Sequence, residues 1–336
     1  MGAVPGHVPL LATTRGRTVE CVHYGSVAVC DRDGNLVAGL GEPGALNFAR
    51  STLKPLQALP FVEDGGPQRF GFGSHEVALM CASHSGEAVH VAVVRAMLKR
   101  IGARETDLQC GSHPPRYYSA AGIAVPPGGR YGPVFHNCSG KHTGFLAYCR
   151  LHGHGLAGYL SPEAALQVRI RNTVQRFAGT DPVESGIDGC SAPNFALPLA
   201  RLAQAYARIA SGDGAALAAL RFSMLRHPDL VSGTARFDLA VAQSGAGDWI
   251  AKAGADGVQA VGICSRGLGI AVRIADGDAR AVHTVTVEVL HRLGLLPRPA
   301  DSPLAAMFRP ALANYAGLRV GALLPLFELP ALAARS

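Results

Sequence analysis

The chain has 336 residues, 48% of them apolar and only 16% charged, which excludes a disordered protein and leaves ample length for a buried core. Its formal net charge of +7 raises nucleic acid as a partner, but the basic residues are scattered, no basic run occurs and aromatics reach only 6%, so the footprint of a nucleic-acid binder is missing. The amino terminus lacks the charged and apolar regions of a secretory signal, no stretch of about 18 apolar residues could span a bilayer, and the eight cysteines include no Cys-x-x-Cys pair; the expectation is a cytoplasmic protein with reduced thiols and no membrane partner.

In chain order, residues 18–40 read as strands: Thr18-Val-Glu-Cys-Val-His alternates, Ser26-Val-Ala-Val-Cys is apolar, and Asp31-Arg-Asp-Gly-Asn35 supplies a turn before Leu36. A helix is predicted from near Ser51 through Leu59, with Pro55 acceptable because first-turn amides have no intrahelical acceptor. Helical patterns follow at 74–83, 87–101, 141–152, 162–178, 195–211 and 215–227, each bounded by Gly, Pro or Asp. Three strands are predicted at Trp249–Gly254, Gly257–Cys264 and Gly267–Ile274, and 279–294, whose pattern is both helical and extended, is read as helix. Strands at both ends with helices between predict a sheet built from both termini around a helical region.

Only four of the 31 basic residues are lysines: Lys54, Lys99, Lys141 and Lys252. A chain that uses arginine by default keeps lysine where arginine would fail, because an ammonium can lose its proton when desolvated whereas a guanidinium cannot. Lys99 lies in the charged tail of a helical pattern, and the other three sit among small or hydroxyl-bearing residues.

Ser51-x-x-Lys54 places a hydroxyl and an amine on one face of a helix, roughly 5–6 Å apart at Cβ. A neutral lysine can serve as the base that a serine nucleophile requires. Taken alone, the pair reads better as a surface turn with a solvated lysine. Cys81-Ala-Ser83-His-Ser-Gly-Glu87 gathers hydroxyls beside a glycine, where Ser83 could relay a proton, or simply cap a helix. Lys252-Ala-Gly254 puts a second cation on a late strand; close to Lys54 it would lower that amine's pKa, and the strand end could offer N–H groups to an oxyanion.

That order, Ser-x-x-Lys, a serine loop, then Lys-x-Gly, resembles the active-site grammar of penicillin-recognising enzymes and their serine-dependent amidohydrolase relatives. Four segments are similar to signatures of the second bacterial L-asparaginase family, the Rhizobium etli-type enzymes: Ala49–Gln57, Cys81–Glu87, His136-Asn-Cys-Ser-Gly-Lys-His142-Thr-Gly-Phe, and Ser185-Gly-Ile-Asp188-Gly-Cys190-Ser-Ala-Pro-Asn194. The resemblance runs from about residue 15 to 330.

It implies an α+β fold related to serine β-lactamases and serine glutaminases, in a single domain over 1–336. An antiparallel sheet would come from N- and C-terminal segments (strands at about 18–40 and 247–276), with a helical region at about 50–230. A homodimer and hydrolysis of L-asparagine to aspartate and ammonia are implied as well. Carried over residue by residue, Ser51 becomes the nucleophile, Lys54 its base, Ser83 the relay and Lys252 the second lysine. Zinc beside the site would fall to Cys138, Lys141 and Cys190, without being required for the chemical step. Charge complementarity makes Asp188 a candidate for the substrate α-ammonium and Arg50 or His142 for its α-carboxylate. The alternatives are a penicillin-recognising enzyme or glutaminase using the same serine and lysine, and a non-catalytic amino-acid sensor.

Overall fold

The computed structural model describes residues 4–179 and 184–332. Eleven strands are present among the described residues: β1 Val8–Arg15, β2 Thr18–Asp31, β3 Leu36–Leu40, β4 Leu46–Phe48, β5 Ser185–Ile187, β6 Pro193–Pro198, β7 Trp249–Gly254, β8 Val258–Ile263, β9 Leu268–Ile274, β10 Ala311–Ala313 and β11 Arg319–Pro325. The helices are α1 Lys54–Glu63, α2 Gly66–Phe70, α3 Ser74–Met80, α4 Ala88–Arg100, α5 Arg116–Ala120, α6 Ser139–Leu151, α7 Ala165–Ala178, α8 Leu199–Ser211, α9 Ala215–Arg226, α10 Pro228–Val231, α11 Phe237–Ser244 and α12 Ala279–Arg292.

The large sheet runs β10-β11-β1-β2-β9-β8-β7, with β3 paired to the far half of β2. Every pairing is antiparallel. Strands from the two ends of the chain therefore form one sheet around a largely helical middle, as the patterning predicts. A small sheet, β4-β6-β5, stands beside it.

Period-two alternation places two apolar faces on the large sheet. Ala28 and Cys30 of β2, Ala260 of β8 and Ala271 of β9 join the core under the helical region. Val27, Val29, Val261, Ile270 and Val272 point the other way, onto the buried residues of α12. Helix α8 lies on the first face with Leu199, Leu202, Ala203, Tyr206 and Ile209 buried. Gly269 permits that approach: a β-carbon there would sit 1.8 Å from the Ala203 carbonyl oxygen.

Three sequence expectations are corrected. Residues 193–198 are strand, and the helix expected from 195 begins only at Leu199. Pro198 explains this, because a residue before proline is pushed to extended backbone and proline suits a helix entry. The helix expected from Ser51 is first a 3-10 turn, Arg50–Leu53, and becomes α-helical at Lys54. The helix expected to reach 83 ends at Met80, leaving Ser83 on the irregular segment before α4. Strand β1 and the β10–β11 hairpin were not foreseen. They are short or interrupted by proline and glycine, and only pairing defines them.

Candidate active site

The Arg50–Leu53 turn presents Ser51 where β6, β7 and α1 meet. Arg50 has φ +51°, left-handed backbone that costs a non-glycine residue about 1–3 kcal/mol. Several bonds hold it there. Its N–H donates to Asn194 Oδ1 at 3.1 Å, its Nε donates to Asp188 Oδ1 at 2.9 Å, and its guanidinium also contacts Asp256. Thr52 anchors the next step, its hydroxyl donating to the Ala49 carbonyl at 2.6 Å while its own carbonyl accepts from Tyr206. Gly254 at the end of β7 touches the same turn; a β-carbon on it would lie 2.9 Å from the Ala49 oxygen and 3.3 Å from Thr52 Cγ2. The backbone N–H groups of Ser51 and Ala255, on these two touching segments, have no acceptor among the described residues.

Lys54 is buried, and its amine donates to Ser83 Oγ at 2.7 Å, to the Asn137 carbonyl at 3.4 Å and to the Ala82 carbonyl. Burial lowers its pKa, opposed by Cys138 and helped by Lys141. The expected neighbourhood of Lys54 and Ser83 is thus present. The Ser51 hydroxyl makes no hydrogen bond among the described residues, and Lys54 is turned toward Ser83. Such contacts are often loose in substrate-free enzymes and tighten in the reacting complex.

Lys252, on β7 and fully buried, donates to the Ala253 carbonyl at 2.8 Å and lies 3.6 Å from Asp238 Oδ2. Burial pushes it down to about 7, against the pull of Asp238 and with the repulsion of Lys54. Asp238 accepts from the Ala253 N–H at 2.9 Å and from Gln259 at 3.0 Å. Despite burial, Lys252 and these bonds hold it below the ordinary carboxylate range. Asp238 carries no signal in the sequence: it stands alone in Arg236-Phe-Asp238, fourteen residues before the lysine it partners.

Next to Lys54 lies a cluster of thiols and an amine. Cys138 precedes α6, Lys141 is in its first turn, and Cys190 sits in the turn between β5 and β6. Lys141 Nζ is 3.1 Å from Cys190 Sγ. A hydrogen bond from Cys190 holds Cys138 well below the usual thiol range against the effect of burial, aided by Lys54 and Lys141. Lys141 is raised, the two cysteines outweighing its burial. His142 is buried, its Nδ1 2.6 Å from the Tyr159 hydroxyl, and its Nε2 has no hydrogen-bond partner although Cys190 stands beside it. Burial takes His142 to about 4 and the neighbouring His136 to about 3, so both imidazoles are neutral.

The remaining expectations fare differently. Arg50 and Asp188, assigned to opposite ends of a substrate, are bonded to each other at 2.8 Å. Asp188 also accepts from Gly189 N–H and from Asn194, and Lys141 and Arg50 hold it low in spite of burial. A cleft of about 380 Å³ lies over this pair, lined also by Phe48, Ile187 and Arg273. A second cleft, about 430 Å³, lies along the end of β7 and is lined by Arg116, Arg236, Asp238, Ala253 and Gly254. Among the described residues no three His, Cys, Asp or Glu side chains gather as a metal site. No helix there is long and apolar enough to cross a membrane.

A buried lysine bonded to Ser83, a second buried lysine and the end of β7 thus gather near the Ser51 turn. The sequence profile of the L-asparaginase II family matches residues 11–325, and the chain belongs to that family. It is an amidohydrolase of that family. No curated protein sequence matches the chain. Among solved structures, a β-lactamase from Mycobacterium bovis is 13% identical over 79% of this chain and 93% of its own, with a TM-score of 0.34. The octameric penicillin-binding protein homologue from Pyrococcus abyssi is 11% identical over 83% of this chain and 74% of its own, with a TM-score of 0.36. Both are remote in shape as in sequence.

Proposed function

We propose that the chain is an L-asparaginase that converts L-asparagine to L-aspartate and ammonia through an acyl-enzyme on Ser51. The observation that carries this reading is the buried Lys54 amine, its pKa lowered, bonded to Ser83 at 2.7 Å and placed one turn after Ser51. Ser51 Oγ attacks the side-chain amide carbon while neutral Lys54 takes the hydroxyl proton. The unpaired N–H groups of Ser51 and Ala255 receive the oxyanion, whose charge is best met by donors already in place. As the tetrahedral intermediate collapses, the proton on Lys54 passes through Ser83 to the departing nitrogen, and ammonia leaves. Water then cleaves the aspartyl ester with Lys54 as base, restoring the free serine.

The charge balance supports this sequence of steps. Burial disfavours the proton on Lys54 and the Lys141 amine adds to this, against the pull of Cys138 and Cys190, the net direction being downward. A guanidinium at position 54 could not act this way.

Zinc belongs to the same proposal. Cys138, Cys190 and Lys141 would hold it, and the chemistry of that donor set fits: a lowered thiol, a second thiol and an adjacent amine. Lys141 must lose its proton to serve as a ligand. Bound zinc would supply a fixed positive charge that orders the site, while the serine and lysines carry the chemistry.

The test is acid quench during turnover of L-asparagine followed by peptide mass mapping. An aspartyl adduct on the peptide bearing Ser51 is expected. Turnover with no adduct there, or with one elsewhere, would overturn the assignment.

A further inference from the structure

The cleft at the end of β7 contains a guanidinium with no bonded partner among the described residues. Arg236 directly precedes α11 and its side chain is half-buried, yet its guanidinium makes no hydrogen bond or ion pair among the described residues. A shielded cation normally finds an anion, because its lost hydration is otherwise not replaced. Asp238 attracts Arg236 electrostatically, but neither nearby carboxylate bonds it. Asp238 is taken by Lys252, the Ala253 N–H and Gln259. Asp256 is taken by Arg50. A second arginine, Arg116 of α5, enters the same cleft, also with no side-chain partner among the described residues. On the remaining wall His283 stacks on Phe237 at 4.1 Å between ring centres. Two unbonded arginines and two engaged carboxylates thus line the cleft, which opens along Ala253, Gly254 and Ala255, the strand end that touches the Ser51 turn.

We propose that Arg236, assisted by Arg116, binds the α-carboxylate of the substrate and so fixes which end of it faces Ser51. This rests on the amide-hydrolase reading above and names the anchor that reading lacks. Arg50 cannot serve, being committed to Asp188 and Asp256. A planar guanidinium matches a carboxylate through two parallel N–H bonds, a geometry that an ammonium does not reproduce. A carboxylate held beside β7 leaves the side-chain amide pointing to the free N–H groups of Ser51 and Ala255.

The test compares L-asparagine with L-asparaginamide, in which a neutral carboxamide replaces the α-carboxylate. Release of the side-chain amide is followed by chromatography for wild type, Arg236→Ala and Arg236→Lys. Arg236→Ala should raise KM for asparagine by about a hundredfold, with kcat changed much less, as loss of a charge-assisted pair predicts. Arg236→Lys should fall between. For asparaginamide, wild type and Arg236→Ala should be alike. Equal losses on both substrates, or an unchanged KM for asparagine, would overturn the proposal.

If wild type releases no ammonia, the amide-hydrolase reading fails by itself, and calorimetry with L-aspartate decides the carboxylate site. Binding to wild type that is lost in folded Arg236→Ala supports the site. Equal binding, or none to wild type, sinks it.

Discussion

Replacing Gly254 by alanine tests whether the end of β7 must seat against the Ser51 turn. The added β-carbon would lie 2.9 Å from the Ala49 carbonyl oxygen, 3.1 Å from Val258 Cβ and 3.3 Å from Thr52 Cγ2, where ordinary contacts begin at 3.4 Å. The Ala49 oxygen is pinned, accepting from the Thr52 N–H at 3.2 Å and its hydroxyl at 2.6 Å, and Val258 is core. Relief must come from β7 moving off the turn by about half an ångström, taking Ala255 N–H with it. Overpacking on this scale costs roughly 1–3 kcal/mol of stability. A misplacement of about 1 Å can cost on the order of a hundredfold in rate, so half of that predicts about a tenfold fall in kcat. Ammonia release at saturating asparagine and a thermal melt measure the two effects. A variant with wild-type kcat would refute the idea that β7 completes the oxyanion site.

Further outcomes follow from the same geometry. Lys54→Arg puts a permanent charge where the account needs an amine that can be neutral, so kcat/KM should fall by about a thousandfold or more in protein that still melts cooperatively, at a lower temperature; near-native activity would remove Lys54 as the base. Lys252 binds fewer protons folded than unfolded between its folded value of about 7 and the ordinary 10.5. Its stabilising contribution is complete above 10.5 and lost as pH falls toward 7, so stability should rise from pH 7 to 9. The double variant Lys252→Met/Asp238→Asn, which removes the buried pair together, should flatten that slope in urea titrations; an unchanged slope would contradict the assigned pKa. Purified protein should carry one zinc by elemental analysis, and Cys138→Ser or Cys190→Ser should lose it. Full retention in both variants would exclude these ligands.

Much of the site was legible because its chemistry comes in short segments. Ser51-x-x-Lys54, Ser83 and Lys252-Ala-Gly254 could be read as hydroxyls and amines in small-residue settings, and scarcity of lysine drew the eye to them. Folding brings Lys54 onto Ser83, and the antiparallel sheet places β7 beside Ser51. What could not be read depends on partners far apart in the chain. Asp238 becomes meaningful only when α11 packs on β7, where it meets Lys252. Arg50 and Asp188 each look free to bind a substrate until the small sheet puts them in contact, 138 residues apart in sequence. The strand at 193–198 was hidden by an apolar run whose helical pattern continues past it, and Pro198 was the available clue. Helix ends shifted by a few residues, as capping and fraying commonly cause.

The most direct test of the account is ammonia release from L-asparagine and L-glutamine by wild type and Ser51→Ala, with folding of the variant checked by its melt. The account predicts release from asparagine by wild type and none from the folded variant. Release that persists in Ser51→Ala would contradict a serine acyl-enzyme, and no release from either amide by folded wild type would contradict the activity itself.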